Sequence, residues 1–189
     1  MGKRKDLDLY RLVESDGKLR YEYQGAWNVP SVSPPFLLRT KILLLLGCVI
    51  QAILVFLMGK LDFPSFRKLY VIIPFLAVLF SAGKSLIAAV MLFTWRDRMT
   101  LRQHQLSWHS LAVGSLASAV SGGLLLMSVL MDVLFFGGHF HEEWPLLLLN
   151  LPHAVLALFL HFFMKEKPCS VRPNLNTASA GEAQDRISE

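Results

Sequence analysis

The sequence is short of charge. Asp, Glu, Lys and Arg make up 17% of its 189 residues, against about 25% in a soluble domain. Cysteine is scarce too. Cys48 falls inside an apolar run and Cys169 in a polar tail, so the two should sit at different depths, which argues against an intramolecular disulfide. No CxxC or zinc-type spacing occurs. The first 35 residues have no early apolar core, so no cleavable signal peptide is expected, and the first apolar run should serve as an uncleaved anchor. Catalytic signatures are missing: there is no GxSxG, no HExxH and no paired intramembrane aspartate. The string Gly83-Lys84-Ser85 is not a phosphate loop, because the upstream glycine that such a loop needs is replaced by Val78. Nothing selects a reaction, and the expectation leans to a protein that is not an enzyme.

What the chain has instead is hydrophobicity in long runs. Its apolar residues reach 53% and its mean hydropathy is +0.45. The net charge of +5 does not form a basic stripe. The cations flank the apolar runs, which points to anionic lipid headgroups as their counter-charge and away from nucleic acid, for which no binding motif is present.

The runs predict an all-α membrane protein, a bundle of four transmembrane helices over about 37–58, 69–94, 109–136 and 146–164, within a transmembrane domain at 36–164. The second, 26 residues long, would span roughly 39 Å at the helical rise and must tilt or protrude from a hydrocarbon core of about 30 Å. Pro74 lies one turn inside it, where a kink is tolerated. Pro145 suits the first turn of the fourth helix. Trp95, Trp108 and Trp144 fall at helix ends, as interfacial aromatics do. Residues 1–35 form a polar leader. In it, alternating segments flank Ser15-Asp16-Gly17-Lys18 and read as a β-hairpin, and Pro34-Pro35 should end regular structure before the membrane. Residues 165–189 are polar and small and should be a disordered tail.

Lysine and arginine set the orientation. Leader, 95–108 loop and tail carry fifteen, the other side carries Lys60, Arg67 and Lys68, and Lys84 lies inside a helix. The positive-inside rule then puts both termini in the cytoplasm, with the chain in the cell (cytoplasmic or inner) membrane.

Stepping about 100° per residue gives each helix one small or polar face: Thr40, Gly47, Cys48 and Gln51; Ala77, Ser81, Lys84 and Ala88; Gly114, Ser118, Ser121, Ser128 and Asp132; Asn150, His153, Ala154, Ala157 and His161. Small-xxx-small series through Gly114, Ser118 and Gly122 make the third helix the expected packing hub. The intramembrane polar candidates are Gln51, Lys84, Asp132, Asn150 and His153. Lys84 lies near the midplane, where lysine costs at least about 2.5–3.5 kcal/mol; it marks a substrate, anion or proton site, docks on another subunit, or snorkels. Asp132 lies roughly 18 Å further out by helical rise, at the level of Asn150 and about a turn above His153.

His139, His141 and Glu142, with Asp132 and His153 nearby, form a weak candidate site for a divalent transition metal; the plainer reading is a wet loop whose acids begin the fourth helix. His109 and His161 invite a haem reading but have no evident pocket, and no cofactor is expected. The leading expectation is a non-enzymatic accessory or interaction subunit of a membrane complex, partnered by lipid and by another membrane subunit or its own copies. The alternative is a small oligomeric transporter or channel using Lys84 and Asp132.

Overall fold

The computed structural model describes residues 10–15, 18–23, 27–30, 34–94, 99–136, 140–165 and 169–172. Four long helices dominate: α1 at Pro34–Lys60, α2 at Leu69–Thr94, α3 at Leu101–Phe135 and α4 at Phe140–Lys165. All four are long and apolar enough to cross a membrane. α3 packs most extensively, against α2 on one side and α4 on the other, while α1 closes the ring between α2 and α4. An even number of antiparallel helices brings the two chain ends to one end of the bundle, the termini end. The α1–α2 and α3–α4 connections lie at the other, the loop end.

Three helix boundaries differ from expectation, each for a local reason. α1 begins at Pro34, so Pro34-Pro35 starts the helix rather than ending regular structure. The first helical positions have no intrahelical N–H partner to lose, and proline's fixed φ suits them. α3 begins at Leu101 rather than 109, so part of the expected 95–108 loop is helical. Thr100 caps this end: its hydroxyl accepts from the Gln103 N–H, and the Gln103 side chain accepts from the Thr100 N–H, a reciprocal capping box. A single π turn at Gln105–His109 then feeds the main helix. Trp108 is consequently buried in the core rather than set at a helix end. α4 begins at Phe140, not 146, so Pro145 joins Pro152 inside it.

At the termini end, β1 (Tyr10–Ser15) and β2 (Lys18–Tyr23) pair antiparallel, from Tyr10 opposite Tyr23 to Ser15 opposite Lys18. The hairpin is anchored: Tyr23 is buried, and its hydroxyl accepts from the Leu101 N–H at 3.4 Å. A second ribbon joins leader to tail. β3 (Trp27–Pro30) pairs antiparallel with β4 (Cys169–Arg172). The expectation of a disordered tail is therefore corrected for residues 169–172, which find a partner strand because both chain ends emerge at the same end of the bundle.

The interior is layered. Towards the termini end an apolar cluster includes Leu44, Cys48, Leu92, Trp108, Leu111 and Leu160. Towards the loop end a second holds Val55, Met58, Phe63, Val78, Leu125 and Leu146. Between them lies a belt of buried polar side chains: Gln51, Ser81, Ser85, Ser115, Ser118, Ser121, Asn150 and His153. The lateral surface is the reverse of a soluble protein's, with Phe56, Phe80 and Leu134 each about 70% exposed. Such a surface suits a membrane or another apolar partner rather than water.

Candidate functional site

Polar groups gather at three levels. At the loop end, two carboxylates tie the α1–α2 connection to the α3–α4 hairpin. Glu143, in the first turn of α4, is 1% exposed and accepts from the Ser65 N–H at 2.8 Å and the Ser65 hydroxyl at 2.7 Å. Ser65 sits in a short 3-10 turn, Pro64–Arg67, whose N-cap residue Phe63 makes no side-chain cap bond. Glu143 therefore supplies from a distant helix the acceptor that this turn lacks locally. Asp132, near the end of α3, accepts from the Lys68 ammonium and the Tyr70 hydroxyl. Its side chain is 2% exposed while that of Lys68 keeps 36%, so the lysine brings its charge from the surface to a buried acid. The carboxylate holds the Lys68 pKa above its ordinary value, chiefly through the hydrogen bond.

In the middle belt, His153 Nε2 and Ser118 Oγ lie 3.0 Å apart across the α3–α4 seam. One turn earlier on α4, Asn150 Nδ2 donates to the Gly122 carbonyl at 2.8 Å. That bond corrects the expected depth match of Asn150 with Asp132. Gly122 is ten residues before Asp132 on the same helix, roughly 15 Å away by helical rise. The early start of α4 is the reason, since it carries Asn150 and His153 deeper into the bundle. Gln51 is fully buried, and its backbone lies against the His153 ring. On the α2–α3 seam, Ser81 Oγ and Ser121 Oγ approach to 3.4 Å, and Ser85 Oγ donates to the Ser81 carbonyl at 2.9 Å.

Lys84 stands apart from all of these. Ser81, Ser85 and Ala88 are buried, but Lys84 is exposed on the outer surface of α2, so its expected place on one inward face with Ser81 and Ala88 is corrected. Buried positions 78, 81, 82, 85, 88, 89 and 92 follow a heptad-like seam that leaves Lys84 just beyond its edge. It lies in a groove of about 430 Å³ shared with Phe80, Ile87, Met91, Leu106 and Ser110. The far wall, Leu106 and Ser110, comes from the π turn of α3 and the residue after it; π turns are over-represented at functional sites. Lys84 has no hydrogen bond or ion pair with any described residue.

The metal candidates do not come together. His141 and Glu142 are exposed, His139 lies outside the described residues, and Asp132 is engaged by Lys68 and Tyr70. Among the described residues no group of three His, Cys, Asp or Glu side chains is arranged to hold an ion. His161 Nδ1 is 2.9 Å from the Ala112 carbonyl, while His109 is exposed. The Lys68–Asp132–Tyr70 and Ser65–Glu143 contacts have no local sequence signature. The Thr100/Gln103 capping box does have one, in the Thr-x-x-Gln spacing. The chain matches no protein-family model, no curated protein and no solved structure.

Proposed function

We propose that the protein is a multi-pass protein of the cell membrane, both termini cytoplasmic, that acts as a non-enzymatic interaction subunit. Its docking site is the Lys84 groove, and the partner is a transmembrane helix carrying an aspartate or glutamate. The observation that carries this reading is Lys84 itself, outward-facing in a groove and unpaired with any described residue. It lies ten residues from the α2 terminus at Thr94, roughly 15 Å by helical rise. A lysine at that depth in a bilayer is costly, and a carboxylate delivered by a neighbouring helix removes the cost in a medium where the attraction is only weakly screened. The groove's apolar walls suit an apolar helix around that acid. The cytoplasmic placement of the termini rests on the fifteen-to-three distribution of Lys and Arg.

The test is purification from native membranes in mild detergent, comparing wild type with Lys84→Met and Lys84→Glu. A stoichiometric membrane partner that both variants lose, with the bundle's own stability unchanged, supports docking. An equal yield of partner with all three chains overturns it. A transport path within one bundle lined jointly by Lys84 and Asp132 has little support, since one faces outward and the other is tied to Lys68. The oligomeric transporter reading is left with a path between copies, and would appear as a pure homo-oligomer with ion flux in liposomes.

A further inference from the structure

The buried side-chain atoms that lack a hydrogen-bond partner among the described residues all fall in the middle belt. They are Gln51 Nε2 and Oε1, Ser115 Oγ, Asn150 Oδ1 and His153 Nδ1. Each belongs to a residue that is at most 1% exposed. Native interiors rarely leave such atoms unpaired, so a cluster of them calls for an explanation, and an internal water or other small bound molecule is one that satisfies them together.

Their placement shows one neighbourhood. Asn150 and His153 are three residues apart on α4 and share a face. A methyl group on Gly122 would lie 3.4 Å from Asn150 Oδ1 and 3.5 Å from the His153 ring, so both flank the same point of α3. Ser118, one turn from Gly122, holds His153 Nε2, and Ser115 is one turn further along the same stripe. Gln51 faces them from α1, its backbone against the His153 ring but with Nδ1 outside hydrogen-bond geometry.

The chemistry of the free atoms defines the ligand. Gln51 offers both a donor and an acceptor, Asn150 an acceptor, Ser115 either role, and His153 Nδ1 either role according to tautomer. No carboxylate or fixed cation is among them, so the ligand is neutral and has both hydrogen-bond roles. Apolar clusters close the belt on both sides, which limits its size. We infer that the belt is an internal water site, with ordered water bridging Gln51 of α1 to Asn150 and His153 of α4 and to Ser115 of α3. A buried water makes about three hydrogen bonds, a number these residues can supply. The bridge also links α1 to α3, which lie diagonally across the ring and touch little directly. Through it the His153 imidazole is in contact with a water whose protons can exchange with the ring N–H.

The experiment uses the full chain in nanodiscs with ¹⁵N-labelled histidine. The His153 signal is assigned by its loss in His153→Phe, and magnetisation transfer from water to the imidazole is recorded. The expected result is transfer to His153 in the wild type that weakens or vanishes in Gln51→Leu, together with a lower melting temperature for that variant. Absence of transfer in the wild type, or transfer indifferent to Gln51→Leu, overturns the inference. So does a higher melting temperature for Gln51→Leu, since a dry belt gains by losing two unpaired polar atoms. Where Gln51→Leu yields no folded protein, the wild-type transfer decides alone.

Discussion

The α2–α3 seam offers the sharpest quantitative test of the packing. A methyl on Gly114 would sit 2.6 Å from Ser85 Oγ, 3.5 Å from Ser85 N and 3.6 Å from Ser85 Cα. Only the first distance is a clash. Ser85 Oγ cannot swing away freely, because it donates to the Ser81 carbonyl at 2.9 Å. Gly114→Ala must therefore break that bond or part the helices, an overpacking cost of about 1–3 kcal/mol. Gly123 on the same helix has nothing within 4 Å of an added methyl, so Gly123→Ala reports helix propensity alone, a gain of up to about 1 kcal/mol. The propensity gain is common to both variants, so the difference between them isolates the clash. It should be about 1–3 kcal/mol, or roughly 2–12 °C in melting temperature for a chain of this size. Removing the hydroxyl should remove the penalty, because the remaining contacts are ordinary. The double variant Ser85→Ala/Gly114→Ala is then expected to melt close to Ser85→Ala alone, giving a coupling of the size of the clash. Thermal unfolding of the four purified variants in one detergent measures this. Equal melting temperatures for Gly114→Ala and Gly123→Ala would refute the seam as described.

Glu143→Gln keeps one acceptor for Ser65 but loses the charge assistance, and should lower stability by about 1–2 kcal/mol. Glu143→Leu strands the buried Ser65 N–H and should cost more; thermal unfolding ranks the two. The raised pKa of Lys68 means that its pairing stabilises the fold fully below the ordinary lysine value of 10.5 and loses that contribution as pH rises through the higher folded value. Lys68→Met should show a deficit against wild type that is constant up to about pH 9 and shrinks only above the ordinary lysine pKa; Lys68→Arg should restore it. For orientation, in a Cys169→Ser background with Cys48 buried, Asp62→Cys should react with an impermeant maleimide outside intact cells. Arg102→Cys should react only after the membrane is opened, and the reverse pattern would invert the topology.

The bundle was largely legible because helices long and apolar enough to cross a membrane declare themselves by those two properties. α2 occupies the expected 69–94 span. The inward faces of α1 and α4 also follow from stepping along the helix, since Gln51, Asn150 and His153 are all buried. Two kinds of error remain. Prolines misled at both ends: Pro34-Pro35 opens α1 and Pro145 sits within α4, because proline tolerates the first turn and, in a membrane helix, the interior. The second kind concerns faces. On α2 the small residues Ala77, Ser81, Ala82, Ser85 and Ala88 offer two overlapping stripes, and a helical wheel does not say which of them meets α3. Packing selects the stripe through Ser81 and Ser85, against Ser121 and Gly114, and turns Lys84 out. Contacts between Ser65 and Glu143, 78 residues apart, depend on tertiary placement alone and leave no local pattern.

The treatment of charge gives the strongest argument for a partner. Asp132 and Glu143 are drawn into the loop end, and each is matched: Asp132 by Lys68 and Tyr70, Glu143 by both donors of Ser65. The matching groups come from outside the long helices or from their first turn, where the backbone can bring them in at little cost. Lys84 lies too deep for that solution, ten residues from the Thr94 end of α2 and fifteen from its start at Leu69. The neutral groups at its depth face the opposite way, into the belt around His153. Among the described residues, then, the buried carboxylates and their partners lie at the loop end and the buried amides of Gln51 and Asn150 in the centre, and neither set reaches the outer face of α2. A charge kept there, in a groove shaped by a π turn of the next helix, is costly in a bilayer unless its ammonium reaches the headgroups or a group from outside the chain meets it. The partner proposed above, a second helix bearing an acid, would bring both the charge and the apolar surface that suit the groove.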